Sequence, residues 1–490
     1  MKLQSEYINR KVEAQTRRHF LKECTTGMGM IAMGSMFGCS TDNTISQNDL
    51  INNIGNNLTQ YAPKAKNVIF LHMAGAPSQL ELFDYKPELE KLHDQPCPDS
   101  FMEGKRFAFI SGKPKMLGPR AKFEQYGQSG AWVSDLLPEF STVVDDVCFL
   151  KAMHTDEINH APAQLFLHTG SPRMGRPSIG SWATYGLGSE NDNLPGYLVL
   201  VSGGKTPSAG KSVWGSGFLP SMYQGVQCRS QGDPILFLSD PENVSRPLRK
   251  DIIDAINDIN QEEYNVYQDP ETLTRIEQYE MAYKMQISVP EVMDMSDEPN
   301  YIHESYGTDP GKESFANNCL LARKLVEKGV RYVQLFHWGW DAHGNAEEVS
   351  LDHGFKDRCK EIDKPMAALI KDLKQRGMLD ETLIVWGGEF GRTPMQENRS
   401  GSDNNWSGRD HHIDAYTMWM AGGGVKAGHT HGSTDDFGYN GVNGRVHIHD
   451  LQATMLNQLG INHLDLTYPF QGRDFRLTDL FGNVVNEVIS

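Results

Sequence analysis

Residues 67–73 read NVIFLHM, a short apolar run that ends at Gly75, Pro77 and Ser78. An apolar run of this length followed by turn-forming residues is typical of a strand buried on both faces of a sheet. Similar runs occur at 143–153, 196–201 (GYLVLV), 330–338 (VRYVQLFHW), 382–386 (TLIVW) and 415–420 (AYTMWM). Helical patterns occur at 314–328, 355–375 and 450–459. This alternation predicts an α/β fold with a mostly parallel central sheet and helices on both faces.

The stretch from about 205 to 300 departs from this alternation. It begins with a segment rich in Gly, Ser and Pro, and it continues with helical patterns at 249–260 and 270–287 that have polar faces. We therefore expect a helical insertion around 205–300 within one α/β domain that spans 66–490.

The N-terminus has the pattern of an export signal. Residues 16–22 read TRRHFLK and precede a weakly apolar, Gly- and Met-rich run at 25–38. A basic segment before a short apolar run is typical of a signal peptide, and the Arg17-Arg18 pair resembles the twin-arginine signal. We expect residues 1–39 to be this leader and the protein to reach the periplasm or cell envelope.

Cys39 ends the leader and leaves two alternatives open. It could become the acylated first residue of a lipoprotein and so provide a lipid anchor, or it could lie by chance beside an ordinary cleavage site. Residues 40–65 are rich in Asn, Ser, Thr, Asp and Gln, a composition that predicts a flexible linker.

The charge of the chain excludes one class of partner. The 490 residues carry a formal net charge of -17. Nucleic-acid phosphates repel a protein this acidic, so we expect no nucleic-acid binding. An anionic small molecule remains compatible, because a metal ion or a few arginines can reverse the field inside one pocket.

Polar residues follow or precede three of the expected strands. Residues 339–345 read GWDAHGN, 387–392 read GGEFGR, and 408–412 read GRDHH. Ligands of open α/β sheets bind beyond the carboxyl ends of the strands. We therefore expect Asp341, His343, Glu389 and one of His411 or His412 to hold one divalent metal ion with a position open for water. The alternative for each side chain alone is a turn cap or a bond to the backbone.

The strings GWDAHGN, TLIVWGGEFGRTP, GRDHHIDAYTMWMAGGGVKAG and PSIGSWATYGLG together resemble the bacterial domain-of-unknown-function family 1501. That family is sulfatase-like and is grouped with the alkaline phosphatases. The resemblance runs from about residue 67 to 478, nearly the whole body of the chain. It implies a metal-dependent hydrolase whose substrate is a phosphate or sulfate ester of a small molecule or glycan.

The resemblance also places His160. Sulfatases carry a C-x-P-x-R motif whose cysteine becomes a formylglycine nucleophile, whereas residues 160–164 here read HAPAQ. Histidine cannot be converted to formylglycine, so that nucleophile is absent. His160 could instead be a nucleophile, a general acid or a structural residue at a helix start.

Arg392 and Arg409 are the candidate holders of the substrate anion, since a guanidinium binds phosphate or sulfate in a bidentate fork. A surface salt bridge is the alternative for each of them. The alternative to a hydrolase is a non-catalytic protein with the same fold that binds a glycan or a protein partner. The absence of the formylglycine nucleophile favours this alternative.

Overall fold

A computed structural model describes residues 61–229, 234–235, 244–267, 270–399, 402 and 404–490. These residues belong to one compact unit. The expected leader, Cys39 and residues 40–60 of the expected linker lie outside the described residues. Among the described helices, none combines the length and the apolar character needed to cross a membrane.

A mostly parallel sheet forms the centre of the described chain. Its strands are β1 (Asn67–Ala74), β2 (Val147–His154), β3 (Tyr197–Ser202), β4 (Val226–Cys228), β5 (Tyr332–Trp338), β6 (Thr382–Gly387), β7 (Tyr416–Ala421), β8 (His429–His431) and β9 (Val446–His447). Their order is β8-β2-β7-β6-β1-β5-β3-β4, and β9 also pairs with β2. Among these nine strands, only β7 runs antiparallel to its neighbours, which are β2 and β6. The predicted fold class is confirmed.

Helices cover both faces of the sheet. The main ones are α1 (His160–Thr169), α2 (Ile179–Leu187), α3 (Arg246–Tyr267), α4 (Pro270–Met293), α5 (Asn300–Tyr306), α6 (Phe315–Glu327), α7 (Gly354–Gln375) and α8 (Ile448–Gln458). Ile69, Leu71 and Met73 of β1 belong to a core that includes α6 and α7. Val68 and Phe70 belong to the opposite core, with α1, α2 and α8. Each such side chain contributes about 1.5–3 kcal/mol when fully buried, which explains why the central strands are mostly apolar.

The range of the expected insertion contains α3, which begins before and ends after the predicted segment 249–260, and α4, which begins at residue 270 as predicted and ends six residues later than predicted. It also contains β4, which extends the edge of the sheet by pairing with β3. This strand was not predicted, because three residues are too few to show a periodic pattern.

The second predicted strand, 143–153, begins later than expected. A 3-10 helix, Phe140–Asp146, precedes β2. The Asp363 carboxylate on α7 accepts hydrogen bonds from the backbone N–H groups of Glu139 and Phe140 at 2.9 and 2.7 Å and so fixes the helix start. An apolar pair such as Val143-Val144 suits a buried helix and a buried strand equally well.

Smaller elements surround the sheet. They are the short helices Gln79–Leu82, Pro87–Lys91 and Asp99–Met102 and the two-stranded ladders Phe123–Tyr126 with Ala131–Ser134, Gly391–Arg392 with His411–His412, Ser433–Thr434 with Gly441–Asn443, and Tyr468–Phe470 with Arg473–Phe475. The ladder of Gly391–Arg392 with His411–His412 lies between the end of β6 and the start of β7, so it stands at the carboxyl edge of the parallel strands.

Candidate metal centre

Four side chains converge at the carboxyl edge of the sheet. His160 begins α1 shortly after β2, Asp341 and His343 lie in the loop after β5, and His411 lies in the short strand before β7. One ligand atom from each of these residues lies within 4.8 Å of the others. We call these four residues the His/Asp cluster.

Two glycines let the backbone approach closely enough to build this cluster. Gly75, which follows β1, has a φ of +109°, and a Cβ at this position would lie 2.7 Å from the backbone nitrogen of Asp341. A Cβ on Gly408 would lie 2.0 Å from the carbonyl carbon of His343. Side chains at either position would therefore displace the loop that carries Asp341 and His343.

Each histidine of the cluster is held through its Nδ1 atom. The Nδ1 partners are Oε1 of Glu389 at 2.7 Å for His160, a carboxylate oxygen of Glu397 for His343, and the backbone oxygen of Ile158 at 2.7 Å for His411. A backbone carbonyl can only accept, so Nδ1 of His411 carries its proton and Nε2 has a free lone pair. Carboxylate or carbonyl partners of this kind are what orient histidine ligands in metal sites.

The three Nε2 atoms face one carboxylate oxygen. Oδ1 of Asp341 lies 2.8 Å from Nε2 of His343, 3.1 Å from that of His160 and 3.4 Å from that of His411. Nε2 of His160 is buried and makes no hydrogen bond of acceptable geometry. A buried nitrogen that faces a carboxylate oxygen and lies beside two further imidazoles, without a well-formed hydrogen bond, fits a divalent cation among these four donors.

Arg392 holds Asp341 in place. Its Nη2 atom donates to Oδ1 of Asp341 at 2.6 Å and to the carbonyl of Gly75. Its Nε atom donates to the carbonyl of Ala76 at 2.9 Å, and Nη1 donates to that of Arg409 at 3.1 Å. Burial disfavours the charged carboxylate, but Arg392 and the histidines outweigh this and hold the pKa of Asp341 well below its usual range. Arg392 is 1% exposed, so the guanidinium predicted to bind a substrate anion is enclosed by protein groups.

Glu389 lies behind His160 and outside the His/Asp cluster, although it was a predicted ligand. Its oxygens accept from the backbone nitrogen of Gly75 at 3.1 Å, from Nε2 of Gln164 at 2.9 Å and from Nε2 of His72 at 3.2 Å, besides Nδ1 of His160. Burial opposes its charge, yet these donors hold the pKa of Glu389 well below its usual range. Its contacts make it a support for His160.

Both ring nitrogens of His160 lie close to a carboxylate oxygen, Nδ1 at 2.7 Å from Glu389 and Nε2 at 3.1 Å from Asp341. Burial favours the neutral ring, but the adjoining Asp341 and Glu389 carboxylates outweigh it and raise the pKa of His160 to about 9. In the absence of a cation, a proton on His160 therefore balances part of the negative charge of this site.

The structure does not bring two other predicted residues to the cluster. His412 stacks on the ring of Tyr439 at 4.6 Å, and its Nε2 atom contacts the Tyr439 carbonyl. Arg409 forms a fully buried ion pair with Glu81, with Nη2 at 2.7 Å from Oε1. It also donates to the carbonyls of Thr393 and Gly118, both at 3.2 Å. Arg409 thus has no solvent-facing group for a substrate anion.

Most groups that surround the cluster could not be predicted from the sequence. Glu397 lies in no recognisable motif, and a carbonyl such as that of Ile158 leaves no signal in a sequence. The centroid of the Phe109 ring lies 5.0 Å from that of the His343 ring and 5.4 Å from that of the His411 ring. It belongs to a loop that the apolar patterns did not mark. A histidine at position 72, inside a buried strand, was the one visible signal, since a polar side chain there needs a partner.

Asp410 fixes the loop that carries Phe109. Its Oδ2 atom accepts from the backbone nitrogens of Phe109 and Ile110 at 2.8 and 2.9 Å, and Oδ1 accepts from that of His411 at 2.8 Å. With His343 and Glu397 it forms a second group of close potential ligands. Because Asp410 ties the loop to the strand of His411, the Phe109 ring stays beside the cluster.

The fold and the cluster define an α/β protein with a candidate three-histidine, one-carboxylate metal site at the carboxyl edge of its sheet. The model of the family described as "Protein of unknown function (DUF1501)" matches residues 65–489, and the chain belongs to this family. The resemblance deduced from the sequence motifs is therefore confirmed. No curated protein sequence is significantly similar to the chain.

Several solved structures show distant similarity. A sulfatase from Pseudoalteromonas sp. is 13% identical, with a TM-score of 0.33 over 85% of this chain and 72% of that one. A phosphonate monoester hydrolase from Silicibacter pomeroyi is 13% identical, with a TM-score of 0.32 over 82% and 75%. An alkaline phosphatase from the Antarctic bacterium TAB5 is 10% identical, with a TM-score of 0.30 over 82% and 100%. The assignment of the chain rests on the family match.

Proposed function

We propose that this protein is a metal-dependent hydrolase of phosphate or sulfate esters that holds one divalent ion through His160, Asp341, His343 and His411. The observation that carries the proposal is the arrangement of the three imidazoles. Each is held through Nδ1 by a carboxylate or a carbonyl, and each turns Nε2 toward the same oxygen of Asp341.

The donor set indicates which ions fit. Imidazole nitrogens with one carboxylate suit Zn²⁺ and related transition ions better than Mg²⁺ or Ca²⁺, which prefer oxygen ligands. Asp341 is the most accessible member, with its side chain 30% exposed, so a substrate would approach from its side. A divalent ion in the cluster would polarise an ester oxygen and activate water for attack.

The contacts of His160 suit a role other than nucleophile, general acid or structural residue at a helix start. A nucleophile or a general acid needs a ring nitrogen that can reach the substrate, but Nδ1 of His160 is bound to Glu389 and Nε2 faces Asp341. We therefore propose that His160 is a metal ligand. The position that a sulfatase gives to its nucleophile would then carry part of the metal site.

The sulfatase-like motifs support a phosphate or sulfate ester as the substrate, and one arginine lies where it could bind the anionic group of such an ester. Arg399 lies over the Phe109 ring at 4.1 Å and contacts Glu397, and its side chain is 38% exposed. Arg392 and Arg409, in contrast, are enclosed. We propose that Arg399 binds the substrate anion at the mouth of the site, where a guanidinium stacked on an aromatic ring keeps donors free.

Metal analysis of the purified full-length protein tests the proposal, with two adjacent histidines as a matched pair. We expect about one Zn²⁺ or similar ion per chain in the wild type, by a mass-spectrometric measurement after purification without chelator. His411→Ala should lose most of this metal because it removes a ligand, whereas His412→Ala should keep it. A metal-free wild type that hydrolyses no ester would contradict the proposed function, and equal metal loss in both variants would contradict the ligand assignment.

A further inference from the structure

A line of buried polar side chains continues from Glu389 into the interior of the sheet. His72 lies on β1, His168 on α1, Gln334 on β5 and Tyr197 on β3, and each is at most 1% exposed. None of the four touches the His/Asp cluster directly through any described contact. Burying polar groups without partners is costly, so such a line persists only where its hydrogen bonds are complete.

The contacts in this line are continuous. Nε2 of His72 lies 3.2 Å from Oε2 of Glu389, and Nδ1 of His72 lies 2.8 Å from Nε2 of His168. Nδ1 of His168 lies 3.0 Å from Nε2 of Gln334, and the Tyr197 hydroxyl contacts Oε1 of Gln334. We call these five residues the Glu389 chain.

Hydrogen-bond chemistry gives the Glu389 chain one direction. The backbone nitrogen of Gly75 and the amide nitrogen of Gln164 can only donate, so Glu389 is an acceptor. His72 must then donate from Nε2, which leaves Nδ1 of the neutral ring as an acceptor for His168.

The same logic continues to the far end. His168 donates from Nε2 and accepts at Nδ1 from the Gln334 amide group, and the Gln334 oxygen accepts from the Tyr197 hydroxyl. Each of these contacts then joins one donor to one acceptor, with both rings neutral. Burial lowers the pKa of His168 well below its ordinary value, in agreement with a neutral ring. The reverse direction would set the lone pair of His72 against the Glu389 oxygen.

We propose that the Glu389 chain positions the metal centre: its donors fix Glu389 as the acceptor for Nδ1 of His160, which keeps the Nε2 lone pair of His160 directed at the ion. His72, His168, Gln334 and Tyr197 are thus positioning residues that never touch the ion or the substrate. This inference rests on the proposed function, because it gives the chain a purpose only if the cluster binds a metal.

Nuclear magnetic resonance tests the direction without any metal. In full-length protein labelled with ¹⁵N-histidine, long-range ¹H–¹⁵N spectra distinguish which ring nitrogen carries hydrogen. We expect the Nε2–H form for both His72 and His168, with signals assigned through His72→Gln and His168→Gln. An Nδ1–H form or a doubly protonated ring at either residue overturns the proposed direction.

Zn²⁺ affinity, measured by competition with a chelator, tests the consequence for the metal centre. His72→Leu removes a donor from Glu389 and should weaken Zn²⁺ binding by roughly 10-fold to 100-fold, the usual effect of losing a partner of a metal ligand. His72→Gln retains an amide donor near the position of Nε2 and should recover most of the affinity. If His72 only packed in the core, His72→Gln would not bind Zn²⁺ more tightly than His72→Leu.

A second pair of variants keeps the test decisive if His72→Leu does not fold. Tyr197→Phe removes only the hydroxyl at the far end of the Glu389 chain, and we expect a several-fold loss of Zn²⁺ affinity. Tyr332→Phe is the control, since the Tyr332 ring packs on Tyr197 at 5.2 Å while its buried hydroxyl lies outside the chain.

The outcomes separate the two proposals. A folded wild type that binds no Zn²⁺ overturns the proposed function. A wild type that binds Zn²⁺, with Tyr197→Phe and His72→Leu binding it equally well, overturns the positioning role alone. Equal losses in Tyr197→Phe and Tyr332→Phe also overturn it, because packing would then explain both.

Discussion

His411 and His412 are consecutive in a two-residue strand, and successive side chains of a strand point to opposite faces. His411 therefore turns Nε2 toward Asp341, while His412 packs on Tyr439. Burial lowers the pKa of His411 to about 4. The His411 ring is therefore neutral at physiological pH, and its Nε2 lone pair is available to a metal ion. His160, whose pKa is raised, must release a proton before a metal ion can bind.

The affinity for Zn²⁺ should therefore depend on pH through His160. Because the pKa of His160 is raised to about 9, we expect affinity to rise as the pH increases toward 9 and binding near pH 7 to release about one proton. Titration calorimetry in two buffers with different ionisation enthalpies measures that proton. Affinity that does not change between pH 6 and 9 would contradict this assignment.

The same shift has the opposite effect on the metal-free protein. A folded-state pKa above the unfolded value of about 6.5 adds stability that is fully present below pH 6.5 and is lost as the pH rises through 9. Urea denaturation of protein treated with chelator should show this decline. His160→Gln, which cannot titrate, serves as the control and should lack this component of the pH dependence.

At the scale of elements, the end of β1 and the loop after β5 meet at Gly75. Gly75→Ala should shift the backbone of Asp341, because the new Cβ would lie 2.7 Å from its nitrogen. We expect Zn²⁺ affinity to fall by about 10-fold or more, as for other changes around metal ligands, measured by chelator competition.

Gly104→Ala is the matched control for backbone strain. Gly104 also has a positive φ, +70°, but no atom lies within 4 Å of an added Cβ. Both variants should lose about 1 kcal/mol of stability or more from this conformation, while only Gly75→Ala should lose metal. Unchanged metal binding in Gly75→Ala would show that the loop tolerates the displacement.

The buried ion pair of Arg409 with Glu81 ties the helix Gln79–Leu82 to the segment before β7. Arg409→Met should destabilise the fold by about 3–5 kcal/mol because it leaves the Glu81 charge buried without a partner. The double variant with Glu81→Gln should recover part of this loss. Urea denaturation measures both effects, and a selective loss of substrate affinity at unchanged stability would instead support the anion-binding role predicted from the sequence.

Elements with a continuous apolar pattern could be predicted from the sequence. The runs at 67–73 and 330–338 became β1 and β5 with small changes at their ends, because most residues of a strand buried on both faces are apolar. The segment Val226–Cys228 was too short for this signal, and Val143-Val144 fitted either kind of buried element. Asp341, His343 and His411 could be predicted as members of one site because ligands of open α/β sheets bind beyond the carboxyl ends of the strands.

The directions in which the side chains point could not be predicted from the sequence. The spacing of Asp341 and His343 indicated a shared site, but nothing in the chain order says that Glu389 turns inward to Gly75 and Gln164. The enclosure of Arg392 and Arg409 likewise depends on carbonyls contributed by distant segments. Such contacts become visible only when the chain is folded.

At the scale of the whole molecule, export through the twin-arginine route remains a prediction. Replacing Arg17 and Arg18 together with Lys should leave the precursor in the cytoplasm, since the pair is read as an address. Cell fractionation followed by immunoblotting measures this distribution. Arg10→Lys, a change of the same kind outside the pair, should not alter it, and normal export of the double variant would show that the leader has been misassigned.

The ligands of the His/Asp cluster come from α1, from the loop after β5 and from the strand before β7, so β2 and β5, on opposite sides of β1, must both be in place to complete the site. An ion there would behave as a reversible crosslink between the two halves of the sheet. At a free metal concentration 1,000 times the dissociation constant, such an ion adds about 4 kcal/mol to the free energy of unfolding. The resistance of the protein to unfolding would then vary with the free metal concentration around it.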